Sequence, residues 1–198
     1  VVDKLADAKS AESHRAHRDV TGGWMRPAVF GAMDGLLTNA SLILGVAAGG
    51  GDSAAVVLTG SAGLVAGAFS MAAGEYTSVV SQGELIHAEI GVEKEELATS
   101  FEAEVRELAE IYRGRGVDAD LADRVARQLC ADPEVAWRTH VREELGVDPD
   151  DLPSPWTAAG ASFTAFALGA LVPLLPLLLG ASALIALLAA GVGLAGSG

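Results

Sequence analysis

Residues 152–198 read LPSPWTAAGASFTAFALGALVPLLPLLLGASALIALLAAGVGLAGSG, without a single Asp, Glu, Lys or Arg. A helix crosses a bilayer core in about 20 apolar residues, so a charge-free run of this length must cross, turn and cross again. Pro173, Pro176 and Gly180 supply the punctuation, because proline interrupts the helical hydrogen-bond ladder. The expected spans are 156–179 and a short one at 181–194.

Toward the N-terminus the composition inverts. Residues 84–151 hold nineteen acidic and eight basic side chains, a net −11 out of −13 for the chain. Ahead of that block lie two more apolar segments, 28–48 and 54–81, joined by the turn-forming Gly49-Gly50-Gly51-Asp52-Ser53. Residues 1–26 are polar and carry Lys4, Lys9, Arg15, Arg18 and Arg26, whereas the first hairpin has no basic residue. Basic residues flanking spans stay in the cytosol. The predicted fold is therefore all-α: a polytopic membrane helical bundle with an inserted cytosolic helical domain. Its divisions are a cytosolic segment at 1–26, a transmembrane hairpin at 27–83, the acidic domain at 84–152 and a second hairpin at 153–198.

Helix signals subdivide the insert. Thr99 followed by Glu102 has the form of a capping box, Asp132-Pro133-Glu134 is a strong helix start, and Gly114, Gly116 and Gly146 are stops. They predict helices over 84–97, 100–113, 119–130 and 133–145, the first continuing the second span out of the membrane. The single Cys130 has no partner for an intramolecular disulfide and suits a reducing compartment.

Ionisable groups within spans are costly and mark ion or proton pathways. Asp34 and Glu75 are such groups, each about seven residues from the cytosolic end of its span. At 1.5 Å per residue both are expected roughly 10 Å below the surface, at one level. Thr38 and Ser41 extend the polar stripe of Asp34, with Asn39 beside them, while Gly63, Gly67, Met71 and Glu75 recur every fourth residue. The plain alternative is that these acids snorkel or bond across helices, and that Met71 fills space.

In the insert, Glu93 and Glu96, then Glu104, Glu107 and Glu110, then His140, Glu143 and Glu144 each share a helix face. Three such faces could hold divalent cations through oxygen and nitrogen. Spacing alone favours a solvated acidic surface, the ordinary reading of exposed acidic helices. His14 with His17, and Glu84 with His87, are weaker candidates. Nucleophile triads, phosphate-cradling loops and cysteine zinc spacings are absent, so no enzyme activity and no prosthetic group are expected. An acidic insert also repels nucleic acid.

Trp24-Met25-Arg26-Pro27-Ala28-Val29-Phe30-Gly31-Ala32-Met33-Asp34-Gly35-Leu36, Asn39-Ala40-Ser41-Leu42 and Phe69-Ser70-Met71-Ala72-Ala73-Gly74-Glu75-Tyr76-Thr77-Ser78-Val79 resemble the vacuolar iron transporter family in its bacterial branch. Residues 143–146 and the proline-rich third span resemble it too, so the likeness covers most of the chain. The resemblance implies a homodimeric exporter of cytosolic Fe²⁺, with Mn²⁺ as a further substrate, exchanging metal for protons at a bacterial plasma membrane. It implies a path lined by Asp34, Met71 and Glu75, to which the polar stripe read above adds Thr38 and Asn39. It implies metal binding in the insert by Glu93, Glu96, Glu104, Glu107 and Glu144; His140 and Val141 stand where the plant form has paired methionines, and the spacing read above adds His140 and Glu143 to the expected metal ligands. The family has five spans and four are read here, so the chain reads as a piece ending before the fifth. The rival from another class is a membrane-anchored metal binder or sensor that moves nothing. A ferritin-like Fe²⁺ oxidase would need two Glu-x-x-His motifs in one four-helix core, and only Glu84–His87 has that form.

Overall fold

A computed structural model describes residues 23–180, with Ile185 and Gly191 beyond them. The expected fourth span at 181–194, most of the N-terminal segment and the pair His14 and His17 therefore lie outside the described residues. Those described fold into α1 (Met25–Ala48), α2 (Ser53–Thr99), α3 (Phe101–Gly114), α4 (Ala119–Cys130), α5 (Pro133–His140), a π-helical turn (Val141–Leu145) and α6 (Pro155–Leu178). The fold is all-α, and α1, α2 and α6 are each long and apolar enough to cross a membrane.

The membrane helices pack through residues without side chains. A Cβ on Gly31 would lie 2.7 Å from the Ser162 carbonyl oxygen, and one on Gly35 or Gly169 would collide with the backbone of Phe166 or Ala32. Glycine thus lets α1 and α6 approach backbone to backbone, the usual device where lipid offers no hydrophobic drive for association. Gly67 of α2 receives the Phe166 ring edge, and Gly63 receives Leu42 and the Asn39 amide. Asn39 is fully buried and donates from Nδ2 to the Ala170 carbonyl oxygen at 2.7 Å. It clamps α1 to α6. Pro173 and Pro176 lie within the last two turns of α6, which ends at Leu178, one residue short of the expected 179, and Gly180 at φ +83° closes it.

At its other end α2 does not stop at the membrane. Asp52 caps it, accepting from the Ala55 amide at 2.8 Å, and the helix then runs unbroken for 47 residues into the insert. The expected capping box is not formed. Thr99 is still helical and its hydroxyl donates to the Glu95 carbonyl, so the break falls at Ser100. Asp118 and Asp132 cap α4 and α5 through their side chains. A core of Val105, Leu108, Ala109, Ala122, Ala126, Cys130 and Ala136 holds α3, α4 and α5 together. Gly23, Gln82, Ile86 and Pro153 line one crevice, which puts the start of α1, the middle of α2 and the start of α6 at a common level between bundle and insert.

Candidate metal centre

Three helices converge beneath the bundle. Glu93 comes from the distal end of α2, Glu104 from the first turn of α3 and His140 from the last residue of α5. All three are buried, with exposures of 7%, 6% and 0%. Local contacts set their directions. Lys94 lies over the Trp137 ring at 4.1 Å, fixing α2 against α5 so that the neighbouring Glu93 turns inward. Trp137 is held in turn by its Nε1–H donating to Glu134 at 3.0 Å and by Arg138 on its ring. Val105 and Leu108, both fully buried, anchor α3 and draw Glu104 in with them.

His140 Nδ1 lies 2.9 Å from Glu144 Oε1, 3.6 Å from Glu93 Oε2 and 3.8 Å from Glu104 Oε2. One ligand atom each from Glu93, Glu104 and His140 fall within 4.8 Å of one another. Ligands about 2.1 Å from a shared first-row dication are at most about 4.2 Å apart. A contraction of under an ångström would close the set on an ion.

Electrostatics point the same way. Burial, then Glu144, Glu104 and Glu96, push the Glu93 carboxyl from 4.5 up to about 8. Glu104 is also raised, first by burial and then by Glu107, with His140 opposing. Burying like charges together is unfavourable unless a proton or a cation joins them. Glu93 Oε2 is buried with no hydrogen-bond partner, an orphaned acceptor of the kind that ion binding satisfies.

The insert residues named from sequence divide into three groups. Glu93, Glu104, His140 and Glu144 come together. Glu96 and Glu107 are exposed but close enough to raise their buried neighbours. Glu143 points elsewhere, pairing with Arg115 and accepting from Tyr112 Oη at 3.3 Å. Adjacent residues on a helix point about 100° apart, so Glu144, four residues after His140, returns over the imidazole while Glu143 faces Tyr112 and Arg115 at the end of α3. Glu84 and His87 are both exposed, with the His87 ring nitrogen bonded to the Gly83 carbonyl. Cys130 escaped the sequence reading as a neighbour of the cluster, although its Sγ lies 3.8 Å from His140 Nε2.

Within the bundle, Asp34 is exposed and accepts from Thr38 Oγ1 at 3.0 Å, while Glu75 and Met71 are half-buried. Their depths do not match as expected. Gly63 faces Asn39 and Gly60 faces Ile43, so on these antiparallel helices Asp34 lies about level with Ala68, seven residues deeper along α2 than Glu75. That spacing is about 10 Å. Tyr76, next to Glu75, packs its ring at a tilt against Trp156 at the start of α6. The earlier start of α1, at Met25 instead of Ala28, accounts for only about 4.5 Å of this offset. Asn39, named for the path, is committed to Ala170.

Fold and site together define an α-helical membrane protein with a buried carboxylate–imidazole cluster on an inserted domain. A sequence profile of the VIT family matches residues 25–198, and the chain belongs to that family. It is 37% identical over 171 residues to a protein of Acanthamoeba castellanii named vacuolar iron transporter, covering 86% of this chain and 61% of that protein. It is 35% identical over 152 residues to vacuolar iron transporter homolog 2 of Arabidopsis thaliana, covering 77% and 52% respectively. Vacuolar iron transporter 2 of rice is 30% identical over 165 residues, covering 83% and 67%. The chain thus spans about half to two thirds of the length of these relatives. They come from an amoeba and from plants, and they give no support to the bacterial branch expected from sequence.

Proposed function

We propose that the protein moves divalent iron, and with it Mn²⁺, out of the cytosol in exchange for protons. The insert collects ions at Glu93, Glu104, His140 and Glu144, with Glu96 and Glu107 drawing cations toward them. The ions then pass to Glu75 with Met71, and on to Asp34 with Thr38. The observation that carries this reading is the continuity of α2: one unbroken helix bears Met71, Glu75 and Glu93, with Glu75 and Glu93 about 27 Å apart along it. The stagger of Glu75 and Asp34 supports stepwise transfer better than a single shared ion.

Proton coupling follows from the same carboxylates. A Glu93 that is protonated below about pH 8 must release its proton when a cation takes its oxygens. Cytosolic placement of the insert is supported by the basic N-terminal segment and by Gly23, Gln82 and Pro153 sharing one level. The homodimer and the bacterial plasma membrane rest on the sequence resemblance alone. The relatives' names support a transporter over an enzyme.

Metal loading of liposomes containing the intact protein tests the proposal. Uptake of Fe²⁺ or Mn²⁺ that falls at least tenfold with Glu75→Gln supports it. Tight metal binding without flux would make the protein an anchored binder instead.

A further inference from the structure

We propose that Cys130 is a positioning residue for the metal centre: in the metal-loaded protein its sulfur accepts the Nε2–H of His140 and so leaves the Nδ1 lone pair for an ion held among Glu93, Glu104 and Glu144. The inference rests on His140 being a ligand, as proposed above. The imidazole is fully buried and has two polar edges. Its Nδ1 edge meets the three carboxylates at 2.9 to 3.8 Å. On its Nε2 edge the one hydrogen-bonding partner among the described residues is Cys130 Sγ at 3.8 Å.

A metal takes the lone pair of one imidazole nitrogen and leaves the proton on the other, so the partner of that second nitrogen decides which edge binds. Here the carboxylates occupy the Nδ1 side, with the orphaned Glu93 Oε2 among them. The ring must therefore carry its proton on Nε2 when loaded. Without an acceptor that N–H would be buried and unpaired, a state that costs about 1–3 kcal/mol. The thiol is itself fixed: Cys130 ends α4, is 3% exposed and belongs to the hydrophobic core of the insert. It is not a ligand to the same ion, because it faces the opposite edge of the ring.

The test uses the full chain in detergent, with Mn²⁺ as the affinity probe and Zn²⁺ as a diamagnetic one for nitrogen NMR of the histidine rings. Cys130→Ala and Cys130→Val remove the acceptor, the second preserving volume so that one of the two remains folded, whereas Cys130→Ser keeps an acceptor. Outer-shell partners of metal-bound histidines are worth about 10–100-fold in affinity. For a weak sulfur acceptor we expect about a tenfold loss of Mn²⁺ affinity in the alanine and valine variants, with serine within about threefold of wild type. Zn²⁺-loaded wild type and serine variant should show His140 metallated at Nδ1 and protonated at Nε2, with the Nε2–H resonance displaced in the valine variant. Unchanged affinity and ring signals in both acceptor-free variants would overturn the role of Cys130 while His140→Ala still abolished binding. If His140→Ala left Mn²⁺ binding intact, the ligand assignment would fall and this inference with it.

Discussion

Replacing Glu93 with glutamine keeps the side-chain shape and removes one of the clustered charges. In the wild type the Glu93 carboxyl titrates near 8 in the fold and near 4.5 in an unperturbed chain. Between those values the folded protein holds a proton that the unfolded chain has lost. Stability attributable to this group is therefore fully present below about pH 4.5 and is lost as pH rises through about 8, with a slope of at most about 1.4 kcal/mol per pH unit. The full window would amount to roughly 5 kcal/mol. Because the proton affinity is shared with Glu104 and Glu144, we take about half, 2–3 kcal/mol. Glutamine does not titrate, so Glu93→Gln should match wild type near pH 4.5, gain on it steadily, and exceed it by that amount at pH 8.5. In a chain of this size that is roughly 5–10 °C in Tm. The assay is thermal unfolding of metal-free protein in detergent with chelator, followed by tryptophan fluorescence from pH 4.5 to 9. A wild-type-minus-variant difference that is flat with pH, or a variant less stable than wild type at pH 8.5, would refute the reasoning.

Other outcomes follow from the same geometry. Glu144→Gln should weaken Mn²⁺ binding at least about tenfold, whereas Glu143→Gln should leave it within about twofold and cost no more than about 1 kcal/mol through its ion pair with Arg115; isothermal titration of the pair distinguishes them. Mn²⁺ at 100 times its Kd should stabilise the chain by about 2.7 kcal/mol, and binding at pH 7 should release close to one proton per ion, falling toward none at pH 9. Gly35→Val drives a side chain into the Phe166 backbone and should cost at least about 3 kcal/mol, seen as a lower Tm and loss of monodisperse protein in size-exclusion chromatography.

The sequence carried much of the fold in plain view. Charge-free runs against an acidic block separated bundle from insert, and the run from Ser53 through Glu96 had no break strong enough to interrupt α2. Asp132-Pro133 and Gly146 act as read, the latter at φ +67°. What depended on packing was hidden. The depths of Asp34 and Glu75 are set by which turns of α1 and α2 face each other, Asn39 against Gly63 and Ile43 against Gly60, and no hydropathy window contains that register. Asn39 looked like part of a polar stripe because its partner, the Ala170 carbonyl, is 131 residues away. Glu143 and Glu144 lie three and four residues after His140, yet only Glu144 meets the imidazole, because the packing of α3 gives Glu143 to Arg115 and Tyr112. Cys130 was silent because a lone cysteine has meaning only through what it touches, here an imidazole edge brought in by α5.

The central claim is that ions leave the insert along α2 and cross at Glu75 and Asp34. Metal-selective flux into liposomes, measured with a luminal fluorescent chelator for wild type, Glu75→Gln and Asp34→Asn in parallel with Mn²⁺ binding, tests it most directly. The account predicts robust Fe²⁺ or Mn²⁺ flux in the wild type and at least tenfold loss in both variants, with binding at the insert unchanged. Flux at the wild-type rate in either variant would contradict it.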